Sequence, residues 1–200
     1  MSAMKRAGGA RAALMGAILC GFLGFGVSTQ PAFAAKIGPY FPIPNSLSFS
    51  GSPKDALLKI QSSWLQRGLD NLKKARAQAG DEIEKGKAGG ATAEQTAALE
   101  EKIKTLDADI ETTAKEIEIA NDTTDSKEVQ FERKRLFLLH LNQWINELDH
   151  LATEQMKIAI LKDGAEAQVA QNRNFQLSQQ ADDLEKAKQD SSITNWGASR

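Results

Sequence analysis

Three stretches of this chain carry apolar side chains at alternating steps of three and four residues, and this spacing limits the possible folds more than any other feature. Such spacing places the side chains along one face of an α-helix. The stripe of the second stretch is narrow, which favours packing of one helix on another at a shallow angle. Its members are Thr96, Leu99, Ile103, Leu106, Ile110, Thr113, Ile117 and Ala120. The sequence therefore predicts an all-α protein, an elongated antiparallel bundle or coiled coil of three to four long helices.

Residues typical of helix ends give the predicted bounds of these helices. Ser52 and Pro53 are typical of a helix start, and Gly80 is typical of a helix end or kink. Capping-box patterns begin the second helix at Thr92 and the third at Asp125. The fourth segment is rich in Gln and Ala and has only a weak apolar stripe. The predicted helices are 53–79, 92–121, 126–163 and 165–190, within a bundle of residues 52–190.

The third helix has the widest apolar face, so we expect it to lie centrally and to contact two neighbours. Its predicted seam consists of Phe131, Phe137, Leu141, Trp144, Leu148, Leu151 and Ile158. The polar positions of the second helix, largely Glu, Lys, Asp and Thr, are interpreted as a solvated face.

The first 34 residues have the layout of a secretory signal peptide. Three basic residues come first, residues 12–27 form an apolar run without charge, and Ala32 and Ala34 are the small residues that a signal peptidase requires. The run is shorter than the roughly 20 residues that a membrane span needs. We therefore predict cleavage after Ala34 and export, to the periplasm or alternatively to the thylakoid lumen or the extracellular space.

Two alternatives to a cleaved leader are an uncleaved N-terminal anchor and a lipoprotein modified at Cys20. The small residues at 32 and 34 disfavour the anchor, and Ile18 and Leu19 before the cysteine disfavour lipidation. Cys20 is the only cysteine, so the mature chain has no disulfide and no thiol for a metal or a nucleophile. Packing alone must hold the exported protein together.

The charge of the mature chain excludes several classes of partner. The leader contains three of the 25 Lys and Arg and none of the 26 Asp and Glu, which leaves a net charge of −4. A mildly acidic chain lacks the electrostatic footprint of a nucleic-acid-binding protein and the polybasic patch that binds anionic lipid. The sequence predicts one domain without a stable membrane span after leader removal.

Large apolar side chains also lie outside the helical seams, near both ends of the mature chain. Residues 35–51 form a Pro-rich segment, predicted to be an extended strap, that contains Tyr40, Phe41 and Ile43. The tail, residues 191–200, contains Trp196. Either these four side chains pack onto the bundle or they dock on a partner. We predict them as the candidate partner-binding residues.

The sequence contains no recognisable catalytic or metal-binding motif. The two histidines, His140 and His150, are ten residues apart on one helix, about 15 Å along its axis, and cannot share a metal. We expect His140 to be solvated or to cap a helix. The chain has no phosphate-binding glycine loop and no nucleophile elbow. No catalytic, metal or cofactor-binding residue is predicted.

These observations predict an exported, non-enzymatic protein that acts as a structural, adaptor or assembly subunit of a cell-envelope complex, for example as an accessory of a secretion or membrane complex. It would bind one or more protein partners, and its helical seams could also pair two copies of the chain. One alternative is a periplasmic holdase-type chaperone, whose helical arms clamp non-native clients. A second alternative is a helical bundle that binds a small apolar ligand.

Overall fold

The computed structural model describes residues 35–44, 47 and 51–197, all of which belong to one compact unit, residues 32–200. The predicted leader, residues 1–34, lies outside the described residues, as do parts of the strap and the last three positions. The described part contains five helices: α1 Pro53–Ala88, α2 Ala93–Asn121, α3 Lys127–Leu161, α4 Gly164–Lys188 and α5 Ser191–Thr194. The prediction of an all-α antiparallel bundle is confirmed.

The four long helices form two antiparallel hairpins. In the first hairpin α1 packs on α2, and the Arg76 guanidinium lies 3.1 Å from the Asp107 carboxylate. In the second hairpin α3 packs on α4, and Asn174 Nδ2 donates a hydrogen bond of 2.7 Å to the carbonyl of Ala152. α1 and α3, of 36 and 35 residues, are each about 54 Å long at a rise of roughly 1.5 Å per residue.

The hairpins meet through aromatic side chains of α1 and α3. The ring of Trp64 lies 5.0 Å from the ring of His140 and 5.5 Å from that of Trp144, both edge to face. Because residues 61 and 64 of α1 match residues 140 and 144 of α3 in order, the two helices run in parallel. Both hairpin turns therefore lie toward the same end of α1 and α3.

The strap, of which residues 35–44 and 47 are described, packs on the helices, but it is not simply extended as predicted. Gly38 and Phe41 exchange two backbone hydrogen bonds of 3.1 and 3.2 Å, which close a tight turn. Proline at the second position of this turn fixes the φ angle that the turn requires. The carbonyl of Tyr40 accepts a hydrogen bond from Asn71, and the carbonyl of Pro42 accepts one from the indole of Trp64.

The predicted end of the first helix at Gly80 is wrong, because α1 continues to Ala88. A glycine inside a helix costs about 1 kcal/mol relative to alanine. Ala79 and Ile83, on either side of Gly80, are buried, and this packing outweighs the local cost. Gly90, with φ of +80°, is in the turn before α2.

The predicted seam of α3 is correct in its middle and wrong at two positions. Phe137, Trp144 and Leu148 are buried, whereas Phe131 is 64% exposed and Ile158 is also exposed. These two residues lie toward the two ends of α3. Leu136 is fully buried instead. The neighbours of a helix, as well as its periodicity, decide which turns of its apolar face are covered.

Candidate functional site

The four predicted partner-binding residues all pack against the chain's own core. Phe41 and Trp196 are buried, at 3% and 7% exposure. Tyr40 and Ile43 are half-buried and lie against the same core. These side chains therefore contribute to the core of the chain itself. Their binding of a partner stays a prediction.

The tail is anchored through Trp196. Its ring lies 5.6 Å from that of Phe137, and its Nε1 donates a hydrogen bond of 2.7 Å to Gln130 Oε1. Lys54 Nζ lies 5.0 Å from the centre of the indole ring, within range of a cation–π interaction. The short helix α5 precedes this contact, capped by the Asp190 carboxylate, which accepts from the Ser192 amide at 2.8 Å. The tail is thus part of the bundle.

Four polar side chains lie in the core where the two hairpins meet, and we refer to them as the buried polar cluster. Its members are Gln61, Thr113, Glu116 and His140, none more than 1% exposed. Gln61 Nε2 donates a hydrogen bond of 2.8 Å to His140 Nδ1. With Nδ1 as an acceptor, the neutral ring carries its proton on Nε2. This Nε2 lies 3.7 Å from Glu116 Oε2, at a distance longer than a hydrogen bond.

Burial sets the protonation state of the cluster's histidine. Removal from water lowers the pKa of His140 from 6.5 to about 3, because the charged imidazolium loses its hydration. At neutral pH the contact between His140 and Glu116 is therefore not an ion pair. The cluster is closed to solvent, and its members belong to α1, α2 and α3.

Sequence reasoning misplaced two members of this cluster. His140 was expected to be solvated or to cap a helix, and it is fully buried. Glu116 was expected on the solvated face of the second helix, and it is also buried. Thr113 was the available signal, since a hydroxyl inside an apolar seam needs a polar environment and Glu116 lies one helical turn away.

A second feature is a concentration of exposed apolar side chains where α3 and α4 approach their connecting turn, in a stretch that we call the α3–α4 tip, residues 156–175. Of the seven large apolar side chains that are exposed in the described residues, six lie in the tip. They are Met156, Ile158, Ile160, Leu161, Val169 and Phe175. Ile160 and Leu161 are 74% and 81% exposed, although isoleucine and leucine are among the residues most often buried.

A cavity of about 470 Å³ lies at the opposite end of α3. It is lined by Lys127, Phe131, Lys134, Arg135, Leu138, Thr194, Trp196 and Gly197. Lys134 Nζ donates to the carbonyl oxygens of Thr194 and Trp196, at 2.9 and 3.2 Å. This lysine therefore fastens α5 and the tail to α3.

The described residues show neither a metal site nor a membrane-spanning helix, and the chain resembles no known protein in the comparisons made. Within residues 35–44, 47 and 51–197, no three His, Cys, Asp or Glu side chains are placed to hold a metal ion. In the same described ranges no helix is both long and apolar enough to span a bilayer. Comparisons of the chain with protein-family models, with curated proteins and with solved structures find no match.

Proposed function

We propose that this chain is an exported, non-enzymatic protein that serves as a structural, adaptor or assembly subunit of a cell-envelope complex, and that it binds its protein partner through the α3–α4 tip. The leader pattern supports export. The observation that carries the binding role is the set of six exposed apolar side chains in the tip. Large apolar side chains grouped on a surface are typical of interaction sites.

The energy available from covering the tip is sufficient for a specific interface. Burial of one leucine, isoleucine, valine or phenylalanine side chain contributes about 1.5–3 kcal/mol. Ile160, Leu161, Val169 and Phe175 are each at least two-thirds exposed, so a partner would gain most of this contribution from each. A handful of such anchors commonly dominates the energy of an interface.

The charges of the tip favour a protein partner over an anionic membrane surface. Lys157 lies 2.7 Å from Glu154, and Lys162 lies 3.3 Å from Glu166. Each of these cations is thus matched by a neighbouring carboxylate, whereas binding to anionic lipid requires clustered positive charge.

The test is capture of partners from native envelope extract by the wild-type protein and by a tip variant carrying Ile160→Ser, Leu161→Ser and Val169→Ser. We expect the wild type to retain a partner at fixed stoichiometry and the variant to lose at least 90% of it, with unchanged melting. Phe131→Ser is the matched control, because Phe131 is equally apolar and 64% exposed but lies outside the tip. Equal capture by the tip variant would contradict the proposal.

A holdase-type chaperone is the second candidate, because apolar side chains exposed on a helical hairpin could also hold non-native chains. The same capture experiment separates the two functions. A chaperone would bring down many clients without fixed stoichiometry, and it would suppress aggregation of an unrelated denatured protein in a tip-dependent way. An assembly subunit would do neither.

A further inference from the structure

The first described residue of the strap lies deep in the core, beside the buried polar cluster. The backbone nitrogen of Ala35 donates a hydrogen bond of 3.3 Å to Glu116 Oε1. Ala35 is 0% exposed and Glu116 is 1% exposed, so this contact is closed to bulk water. It joins residues 81 positions apart in the sequence.

The nitrogen of Ala35 is also the atom that the predicted processing would release. Hydrolysis of the peptide bond between Ala34 and Ala35 adds water across it, with the hydroxyl going to the carbonyl carbon of Ala34 and the hydrogen to the nitrogen of Ala35. The amine then takes up a proton at neutral pH, as α-amines do. A neutral amide with one N–H becomes an ammonium with a full positive charge and three donors.

We propose that Glu116 is the binding site for the N-terminal ammonium of the processed chain, so that removal of the leader creates a buried ion pair that locks the strap onto the bundle. This inference rests on the prediction of cleavage after Ala34. It is independent of the proposed partner.

The surroundings of the Glu116 carboxylate suit an ammonium. Hydrogen bonds between ionised partners are shorter and about twice as strong as neutral ones, and attraction between the charges is greater in a buried site than in water. His140 faces the other carboxylate oxygen and is neutral at pH 7, so it brings no charge of its own. The ammonium would therefore add a full positive charge beside Glu116 that the uncleaved amide lacks.

The strap is well placed to transmit this change to the rest of the fold. Ala35 is followed by Ile37, which is half-buried against the core, and by Phe41, whose ring lies 5.2 Å from that of Trp64. Fixing the first residue of the strap reduces the entropy that Phe41 loses on docking. In the unprocessed chain an uncharged amide would occupy the place of the ammonium beside Glu116, and this form would be the less stable one.

The first test compares the melting of two forms of the compact unit. One begins at Ala35, released from a cleavable fusion that leaves no extra residue, and the other retains Ala34, so that residue 35 contributes an amide. We expect the form that begins at Ala35 to melt higher by about 5 °C or more, because loss of one partner of a buried ion pair is strongly destabilising. Equal melting temperatures would overturn the proposal.

The second test is a double-mutant cycle with Glu116→Gln. This substitution should lower the melting temperature of the free-amine form far more than that of the extended form. Glu118→Gln is the matched control, since Glu118 is exposed on the same helix two residues away. Equal losses in the two forms would show that Glu116 acts through another contact, and the proposal would be wrong.

The third test probes the amine directly. Short exposure to an amine-reactive reagent, followed by mass spectrometry of the N-terminal peptide, should label Ala35 at least tenfold more slowly than the lysines in the folded protein. Glu116→Gln should remove this protection without unfolding the helices. Rapid labelling in the unchanged protein, or a mature protein from the envelope that begins elsewhere than Ala35, would overturn the inference. None of these measurements involves a partner, so their failure is separable from failure of the proposed function.

Discussion

The core accepts the buried side chain of His140 only when its imidazole ring is neutral. Its ring packs edge to face on Trp64 and accepts a hydrogen bond from Gln61. It is accommodated only in the neutral form, since burial lowers its pKa to about 3. Protonation would place a charge in a region closed to solvent.

We predict a loss of stability on mild acidification that depends on His140. Because the pKa is lowered in the folded state, the unfolded chain binds the proton first as the pH falls below 6.5, and stability declines from there toward pH 3. The expected loss between pH 8 and pH 5 is about 2 kcal/mol. Urea unfolding at a series of pH values measures it. His140→Gln should flatten this dependence, and an unchanged dependence in the variant would refute the prediction.

At the scale of single residues, the sequence predicted burial correctly where side chains follow a helical period, and less well where burial depends on distant residues. Trp144 and Leu148 were predicted as core from their spacing, and both are buried. For Phe41 and Trp196 the sequence left packing and partner docking both open, because neither belongs to a periodic seam. Their burial depends on contacts with residues far away in the sequence, such as Gly68 and Gln130, and local pattern contains no information on those.

At the scale of helices, two glycines of α1 have opposite roles. Gly68 lies under the ring of Phe41, and a Cβ at this position would overlap that ring. A Cβ at Gly80 would meet nothing within 4 Å. The first glycine therefore makes room for the strap, whereas the second only loosens the helix.

We predict that Gly68→Ala and Gly80→Ala change stability in opposite directions. Gly80→Ala should stabilise the protein by about 0.5–1 kcal/mol, because alanine loses less backbone entropy in a helix. Gly68→Ala should destabilise it by about 1–3 kcal/mol, the usual cost of overpacking. Urea unfolding followed by circular dichroism measures both, and each variant controls for the other as the same substitution in the same helix. A shift of the same sign in both would contradict the assigned contacts.

The observed helix bounds show that helix starts were predicted better than the end of α1. Proline at the start of α1 is observed as predicted. The cap of α3 is Ser126, which accepts a hydrogen bond from the Val129 amide, and it lies one residue after the predicted capping position Asp125. The glycine at 80 did not end its helix, because tertiary packing outweighs a penalty of about 1 kcal/mol. Local chemistry predicts roughly where a helix starts, although the Ser52 side chain makes no capping hydrogen bond. Continuation of a helix through a glycine depends instead on a neighbouring helix.

At the scale of the whole compact unit, the hairpins, the strap and the tail share one core. The strap contacts α1 and α2, and Trp196 contacts α3 while Lys54 of α1 lies over its ring. The two ends of the described region therefore contribute to the stability of the bundle itself.

We predict that Trp196→Ala costs about 3–5 kcal/mol, because it removes a buried ring and leaves a cavity beside Phe137. Thermal and urea unfolding measure the loss. Phe175→Ala is the control, since this aromatic side chain is 68% exposed and its truncation should stay within about 0.5 kcal/mol. Similar effects of the two substitutions would mean that the tail does not belong to the core.

The contact of Trp196 with Phe137 and Lys54 has a consequence for the order of events during synthesis. A ribosome that adds about 5–20 residues per second needs on the order of ten seconds to proceed from Lys54 to Trp196. During that interval the nascent chain cannot close its core, whatever the helices already formed. Once synthesised, Phe137 stays without its indole neighbour until the tail arrives, and a chain truncated before Trp196 would never form this contact.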